Sequence, residues 1–304
     1  MERVTCAGLP DCLRLSNDRI EVVVPTTIGP RIMSCRVPGG PNLLGEYPQL
    51  VTNTPLGEWK PWGGHRLWAA PEQMPGSYAP DNAPIQWELR TDRSLLVRQQ
   101  PDASGLEKSL VIHLPPNGRS LTIEHEICNR HYWPIEIAAW ALTIVSPGAT
   151  ALLPQPAFRS HDEQLLPVRA MALWSFTNMT DRRWRFGKRF ITLTPDQARG
   201  EPQKIGIRNE LGWCACVWPE AVLVKQFAFD AAARYPDCGV NNEIYVDGPY
   251  LEIETLGGLE RLEPGERTRL VERWIVGEGL SAAVIADESR LYDACVGLLH
   301  DSSG

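Results

Sequence analysis

Hydrophobic and polar residues alternate along many short segments of the chain, which is the pattern expected of β-strands. In SLTIEHEIC, residues 120–128, the positions from Leu121 to Ile127 alternate between apolar residues or His125 and the polar residues threonine and glutamate. Because successive side chains of a strand point to opposite faces, this segment is predicted to be a half-buried antiparallel strand. The preceding PPNG, residues 115–118, has the composition of a hairpin loop.

Similar segments recur along the chain and predict a fold made almost entirely of strands. We predict strands over residues 19–25, 31–37, 85–90, 94–99, 107–114, 120–128, 135–145, 190–194, 204–207, 212–218, 221–229, 242–246, 250–255 and 267–276. A helical pattern is confined to residues 280–299. Many strands without intervening helices indicate a mostly antiparallel all-β sandwich or barrel with a short C-terminal helix. No linker or repeat interrupts the pattern, so residues 1–304 are predicted to form one domain.

The segment GGHRLWAAPEQMPGSYAPDNAP, residues 63–84, fits neither the strand nor the helix period. It contains four prolines and brings together His65, Arg66 and Trp68. We expect a long ordered loop, and such loops on a rigid β scaffold commonly carry binding sites. A titratable donor, a cation and an aromatic surface are all present in it. The alternative is a polar surface loop without a function.

Two glutamates of the predicted strand 250–255 share one face. Glu252 and Glu254 are separated by one residue, and two neighbouring carboxylates raise at least one pKa if their face is buried. A raised carboxyl pKa suits a general base near neutral pH. For Glu252 we prefer the interpretation of a solvated residue on the sheet face.

Two further cationic features are open to a structural or a functional interpretation. Lys225 interrupts an apolar strand, so it either extends to solvent at a sheet edge or projects into a polar cleft. Residues 181–189 contain five cations in nine positions, which we interpret as an exposed, solvated loop.

Composition and charge exclude several classes of function. A net charge of −7 argues against a nucleic-acid or anionic-membrane surface, and no stretch approaches the roughly 18 apolar residues of a membrane span. The charged first residues do not resemble a signal peptide, and the eight cysteines are irregularly spaced, so we expect reduced thiols and a cytoplasmic protein. No nucleotide-binding, nucleophile-elbow or zinc motif is present, so we expect neither a cofactor nor a metal.

Three stretches of the chain resemble the aldose 1-epimerase or galactose-mutarotase-like superfamily, and a bacterial branch of it in particular. These stretches are IGPRIMSCRVPGGPNLLGE at 28–46, GGHRLWAAPE with PDN at 63–72 and 80–82, and YPDCG with YLEIETLGGLERLEPGERTRLVERWIV at 235–239 and 250–276. Together they span most of a core over residues 15–276. The resemblance implies a β-supersandwich with a cleft for a small sugar or sugar acid.

The resemblance also implies a mechanism. In mutarotases a glutamate on a late strand removes the proton of the anomeric hydroxyl while a histidine protonates the ring oxygen. The ring opens, the aldehyde rotates, and closure gives the other anomer. Glu254 stands at the position of that glutamate, and His65 lies in the region of the family's first, substrate-binding histidine. The strand 134–142, which corresponds to the one that ends in the acid histidine, contains no histidine. His131 lies in the turn before it.

These considerations give three hypotheses in order of preference. The first is an isomerase of the aldose 1-epimerase type, with Glu254 and His65 as catalytic candidates. Its expected substrate contacts are Arg66, Trp68, Glu72, Asp81, Asn82, Lys225 and Glu243. The second is a carbohydrate-binding protein without catalysis, and the third and weakest is a polysaccharide lyase or hydrolase. The first requires the side chains of His65 and Glu254 to line one cleft with room for a single ring. The sequence leaves the identity of the sugar and the oligomeric state open.

Overall fold

The computed structural model describes residues 1–196 and 198–301, and within them the chain is built mainly from short strands. The first thirteen are β1 (Glu2–Cys6), β2 (Leu9–Ser16), β3 (Glu21–Val24), β4 (Arg31–Ile32), β5 (Ser34–Arg36), β6 (Glu46–Tyr47), β7 (Thr52–Thr54), β8 (Gly57–Trp59), β9 (Trp62–Gly63), β10 (His65–Ala70), β11 (Gln86–Thr91), β12 (Ser94–Arg98) and β13 (Leu106–His113). The next thirteen are β14 (Ser120–Asn129), β15 (Ile135–Val145), β16 (Thr150–Pro154), β17 (Met171–Leu173), β18 (Trp184–Phe186), β19 (Phe190–Leu193), β20 (Gln203–Ile207), β21 (Trp213–Val217), β22 (Ala221–Phe227), β23 (Asn242–Asp247), β24 (Tyr250–Leu256), β25 (Glu260–Leu262) and β26 (Arg267–Glu278). Within the described residues, helical structure is limited to a 3-10 turn (Gly76–Tyr78) and to α1 (Pro236–Gly239), α2 (Ala282–Ile285) and α3 (Glu288–Asp301).

Most of these strands belong to two large antiparallel sheets. The ten-stranded sheet has the order β11-β12-β13-β14-β26-β22-β21-β16-β19-β18. The eight-stranded sheet has the order β17-β20-β23-β24-β15-β10-β4, with β25 also paired to β15. A four-stranded sheet, β1-β2-β3-β5, and two two-stranded sheets, β6-β9 and β7-β8, complete the fold. The predicted all-β, mostly antiparallel fold is therefore confirmed.

The two large sheets pack face to face around the main hydrophobic core. Ala139, Ala141 and Ile253 of the eight-stranded sheet join one cluster with Leu110 and Ile123 of the ten-stranded sheet. Each fully buried leucine or isoleucine side chain contributes about 1.5–3 kcal/mol through removal of apolar surface from water. The half-buried strand predicted at residues 120–128 is confirmed. The apolar face of β14 lies in this core, and its other face is half-buried.

The C-terminal helix α3 covers part of the outer face of the ten-stranded sheet. Asp287 caps its first turn by accepting hydrogen bonds from the backbone N–H groups of Ser289 and Arg290. Leu291 and Cys295 then pack in a second hydrophobic cluster against that sheet. The helical pattern predicted for residues 280–299 thus corresponds to α2 and α3. No helix among the described residues is long and apolar enough to cross a membrane.

The segment predicted as a loop at residues 63–84 begins instead with a central strand. Strand β10 pairs with β15 along its length, Trp68 lying opposite Trp140, and with β4 at its start. The polarity pattern does not reveal it because β10 is covered on both faces, so polar and apolar residues are buried alike. A side chain on Gly64 would clash with the carbonyl oxygen of Ile32, which explains the glycine immediately before the strand.

Candidate functional site

The outer face of the eight-stranded sheet forms the floor of a cavity of about 690 Å³, which we call the outer cleft. Its floor presents two ion pairs and two tryptophans from four strands: Arg66, Trp68, Trp140, Lys204, Glu252 and Glu254. The volume is within the range of sites for small molecules. The alternation of side chains along β10 sends Arg66 and Trp68 to this cleft and their neighbours His65 and Leu67 to the core.

Glu254 is held at one end of the floor by two donors. Its Oε2 accepts a hydrogen bond of 2.9 Å from Nε1 of Trp140 and an ion pair of 2.9 Å from Nζ of Lys204. The same ammonium lies 2.7 Å from Glu243, the residue opposite Glu254 on β23. Burial raises the pKa of Glu243 well above its ordinary value. Burial acts to lower the pKa of Lys204, but the charges of Glu254 and Glu243 outweigh it and the pKa is raised.

Glu252 forms a second ion pair on the same strand face. One of its carboxylate oxygens lies 3.1 Å from Nη1 of Arg66, and the hydroxyl of Tyr250 donates to the other at 3.4 Å. Burial raises the pKa of Glu252 to about 7. The charge of Arg66 acts to lower this pKa, and the charge of Glu254, a smaller effect, acts to raise it. The interpretation of Glu252 as a solvated residue is therefore wrong, because only 4% of it is exposed.

Aromatic side chains surround both ion pairs. The guanidinium of Arg66 lies over the rings of Trp68 and Trp59 at 4.8 and 5.5 Å. The ammonium of Lys204 lies over the rings of Trp140 and Trp174 at 4.8 and 4.7 Å. Such contacts orient the cations, and they leave ring faces and edges as apolar walls of the cleft.

His65 lies behind the floor, in the space between the two large sheets. It is fully buried, and its Nδ1 is 2.9 Å from Oγ1 of Thr143 while its Nε2 is 2.7 Å from Nε2 of His125. Nδ1 of His125 faces the carbonyl oxygen of Leu270 at 3.0 Å and must donate to it. His125 Nε2 is then the acceptor for the N–H of His65, which fixes both tautomers.

Lys225 completes this buried arrangement, which we call the inner network: His65, His125, Thr143, Lys225 and Glu272. Nζ of Lys225 donates to Oγ1 of Thr143 at 2.8 Å and lies 3.0 Å from the carboxylate of Glu272. The hydroxyl of Thr143 is left to donate to His65. Burial, together with the charges of His125 and Lys225, lowers the pKa of His65 well below its ordinary value. The network thus favours a neutral His65.

Three members of the inner network have the chemistry of metal ligands. Donor atoms of His65, His125 and Glu272 lie within 4.8 Å of one another. The histidines, however, are bonded to each other, and the carboxylate has Lys225 and Nε1 of Trp274 as partners. These partners occupy the donor atoms without a metal ion.

The structure separates the residues that the sequence singled out. Arg66, Trp68, Glu72 and Glu254 line the outer cleft, and Glu243 adjoins it through Lys204. His65 and Lys225 belong to the inner network, so His65 and Glu254 do not line one cleft.

The PDN motif at residues 80–82 anchors its loop instead of reaching the cleft. Asp81 forms an ion pair with the buried Arg31. Asn82 accepts a hydrogen bond of 2.8 Å from Nε1 of Trp62 and donates one of 2.7 Å to the carbonyl oxygen of Glu58. Neither residue belongs to the cleft lining.

Several cleft residues were not singled out by sequence reasoning, chiefly Lys204, Trp140 and Tyr250. Lys204 carries the signal that was noted for Lys225, a lysine within an apolar strand, in QKIGI of β20. Trp140 lies in the strand that was notable for lacking a histidine. The alternation of β15 places it on the outer face with Leu142.

No protein-family model and no curated protein matches the chain. Among solved structures, it is similar to a TPR-domain containing protein from Parabacteroides distasonis, with a TM-score of 0.57, 15% identity and coverage of 87% of this chain and 46% of that one. A putative mutarotase from Salmonella typhimurium gives a TM-score of 0.54, 13% identity and coverage of 91% and 93%. A putative aldose 1-epimerase from Escherichia coli gives a TM-score of 0.53 and 11% identity, with coverage of 88% of this chain and 99% of that one.

This likeness concerns the fold. The chain spans less than half of the first of these structures and nearly all of the other two. The galactose-mutarotase-like sandwich that the sequence predicted is confirmed.

Proposed function

We propose that the outer cleft binds one sugar ring and that Glu254 and Glu252 act as base and acid in the interconversion of its anomers. Two buried carboxylates on one strand face, in a cavity walled by tryptophan, carry this proposal. The two groups have different partners, Lys204 for Glu254 and Arg66 for Glu252. Carboxyl groups in different environments can hold different protonation states, which an acid and a base require.

Glu254 is the base in this proposal. Both of its donors, Trp140 and Lys204, bond to Oε2, which leaves Oε1 to accept the proton of the anomeric hydroxyl. The ammonium of Lys204 can also donate to a sugar hydroxyl bound beside it. Glu254 therefore keeps the role that the family resemblance assigned to it.

Glu252 replaces the family's acid histidine. With a pKa of about 7, a large fraction of this group is protonated near neutral pH. Glu252 gives its proton to the ring oxygen as Glu254 takes one from the anomeric hydroxyl, and the bond between the anomeric carbon and the ring oxygen breaks. After rotation of the aldehyde, both transfers reverse. The ring hydroxyl returns its proton to Glu252, the carbonyl oxygen regains one from Glu254, and the bond re-forms.

Binding without catalysis is the second candidate, and one observation favours it. Each of the two carboxylates is already paired with a cation, an arrangement that provides a rigid polar surface without a reactive group. A lyase or hydrolase acting on a uronate has less support, because the cations Arg66 and Lys204 are both engaged by protein carboxylates.

The test follows pure α-anomers of neutral hexoses and uronic acids by polarimetry or NMR. We expect the wild-type protein to exceed the spontaneous rate with at least one sugar, and Glu254→Gln to lower this excess by about a hundredfold or more. Lys204 keeps Glu243 as a partner in that variant, so the fold is expected to survive. Glu124→Gln, which alters an ion-paired carboxylate on the ten-stranded sheet, is the matched control.

Thermal unfolding with the same sugars separates the two candidates. A ligand that prefers the folded state raises the unfolding temperature whether or not it reacts. A sugar-dependent rise without any rate excess would establish the binding protein and reject the isomerase. The absence of both effects across the panel would reject the two candidates together.

A further inference from the structure

A second cavity, of about 470 Å³, lies between the outer face of the ten-stranded sheet and the C-terminal helices. We call it the arginine groove, because Arg182, Arg183 and Arg185 line one side of it. Hydroxyl groups of threonines contribute to its floor, and Ile285 and Leu291 of the helical segment form the opposite wall. It shares no lining residue with the outer cleft.

Strand pairing explains why the arginines face this groove. Trp184 and its partner Leu193 both pack in the main core, so their neighbours on the two strands point outward. Arg185 lies directly opposite Thr192, and the carbonyl oxygen of Arg183 accepts a hydrogen bond of 3.1 Å from the N–H of Thr194. The interpretation of residues 181–189 as an exposed, solvated loop is therefore wrong in part: residues 184–186 form an edge strand, and Arg183 is buried.

Arg183 is positioned by the protein but is not fully satisfied. Its Nε and Nη2 donate to Asp181 at 3.1 and 2.9 Å, and Nη2 also donates to the carbonyl oxygen of Glu201 at 2.6 Å. Its Nη1 is buried and has no partner among the described residues. The ion pair with Asp181 therefore fixes the guanidinium of Arg183 beside the groove, and the buried Nη1 remains a donor without an acceptor.

The other two arginines leave the groove with an excess of positive charge. Within the described part of the chain, the side chains of Arg182 and Arg185 form neither a hydrogen bond nor an ion pair. The carboxylate in the lining, Glu288, accepts hydrogen bonds from the N–H groups of residues 188, 189 and 190. Burial acts to raise the pKa of Glu288, but these backbone hydrogen bonds and the charge of Arg185 lower it, so Glu288 offsets part of the positive charge of the groove.

We propose that the arginine groove binds the phosphate group of a small phosphomonoester. Guanidinium groups match phosphate oxygens with paired, charge-assisted hydrogen bonds, and threonine hydroxyls add neutral donors. The groove is larger than a phosphate ion, and the apolar side chains of Ile285 and Leu291 in its helical wall suit an organic group attached to the phosphate. This site does not depend on the function proposed for the outer cleft.

Calorimetric titration with phenyl phosphate and with inorganic phosphate tests the proposal. We expect both probes to bind, phenyl phosphate more tightly, and Arg185→Gln to weaken each by about tenfold, with Arg185→Lys between the two. Arg185 is exposed, so its replacement does not disturb the core. Arg290→Gln is the control, because this exposed arginine of α3 lies outside the groove lining.

Three outcomes would overturn the proposal. The first is the absence of binding by either probe at low ionic strength. The second is wild-type affinity in Arg185→Gln. The third is an equal loss in Arg290→Gln, which would indicate general attraction of anions to surface arginines. Unchanged anomer interconversion by Arg185→Gln is expected in every case and keeps this test separate from that of the outer cleft.

Discussion

His65 and Arg66 are neighbours in the sequence, but they belong to opposite faces of the same sheet and to two different kinds of polar environment. On the inner face, the inner network is closed: Lys225 and Glu272 have no exposed surface, and each histidine bonds to a protein group. On the outer face, the ion pairs Arg66–Glu252 and Lys204–Glu254 form the floor of a cavity.

The comparison shows that burial of ionisable groups does not by itself identify a binding site. Both faces contain buried lysines, carboxylates and tryptophans, and both shift pKa values. The ionisable groups of the inner network are fully buried and bonded to one another, as structural polar groups are. The outer face leaves a carboxylate oxygen of Glu254 and several ring faces beside about 690 Å³ of space.

The largest expected effect comes from removing the cation of the inner network. Lys225→Met leaves the carboxylate of Glu272 buried without its ion-pair partner, which is expected to lower the free energy of unfolding by about 3–5 kcal/mol. Lys204→Met should cost less, because water in the cleft can reach Glu254 and the raised pKa of Glu243 allows that group to be neutral. Urea denaturation measures both losses.

The double variant Lys225→Met with Glu272→Leu is the control for this comparison, since it removes the unpaired charge and should recover much of the loss. Equal losses for Lys225→Met and Lys204→Met would contradict the distinction between the two faces.

The second effect concerns the pH dependence of the outer cleft. Glu252 must be protonated to act as an acid, and its protonated form is lost as the pH rises through about 7. The enzyme-dependent kcat/KM is therefore expected to fall above that pH, approaching tenfold, or about 1.4 kcal/mol of barrier, per pH unit. This fall in kcat/KM is measured from the rates of anomer interconversion between pH 6 and 9, after subtraction of the spontaneous rate. Glu252→Gln should have a low rate without this decline, whereas a flat wild-type profile would exclude Glu252 as the acid.

The smallest effect is expected at the rim of the cleft. Trp174 lines the cavity and contacts Lys204, so Trp174→Ala is expected to weaken sugar binding about fivefold, equivalent to about 1 kcal/mol. Leu173→Ala changes the preceding residue, which is exposed and absent from the cleft lining. Titration calorimetry with the sugar that gives the largest thermal stabilisation should show a loss only in Trp174→Ala. Equal sugar affinities in Trp174→Ala and Leu173→Ala would show that the rim does not contribute to binding.

Strand positions were largely predictable because their cause is local. The prediction for residues 135–145 coincides with β15, and those for 94–99 and 250–255 differ from β12 and β24 by one residue at an end. Strand β10 was missed because burial on both faces removes the alternation that local reasoning uses. Glu252 was misinterpreted for a related reason: its burial depends on Arg66, a partner far away in the sequence.

The sequence by itself determined the all-β fold, the C-terminal helical segment and the candidate base Glu254. Once the structure shows that β10 is a strand, its period of two requires His65 and Arg66 to point in opposite directions. Only the tertiary structure decided which of them faces the cleft, because that depends on how β10 pairs between β15 and β4 and on which face of the sheet meets the ten-stranded sheet. The partners of Lys204 and Lys225 were decided in the same way, since each ion pair joins strands that are distant in sequence and adjacent only after folding.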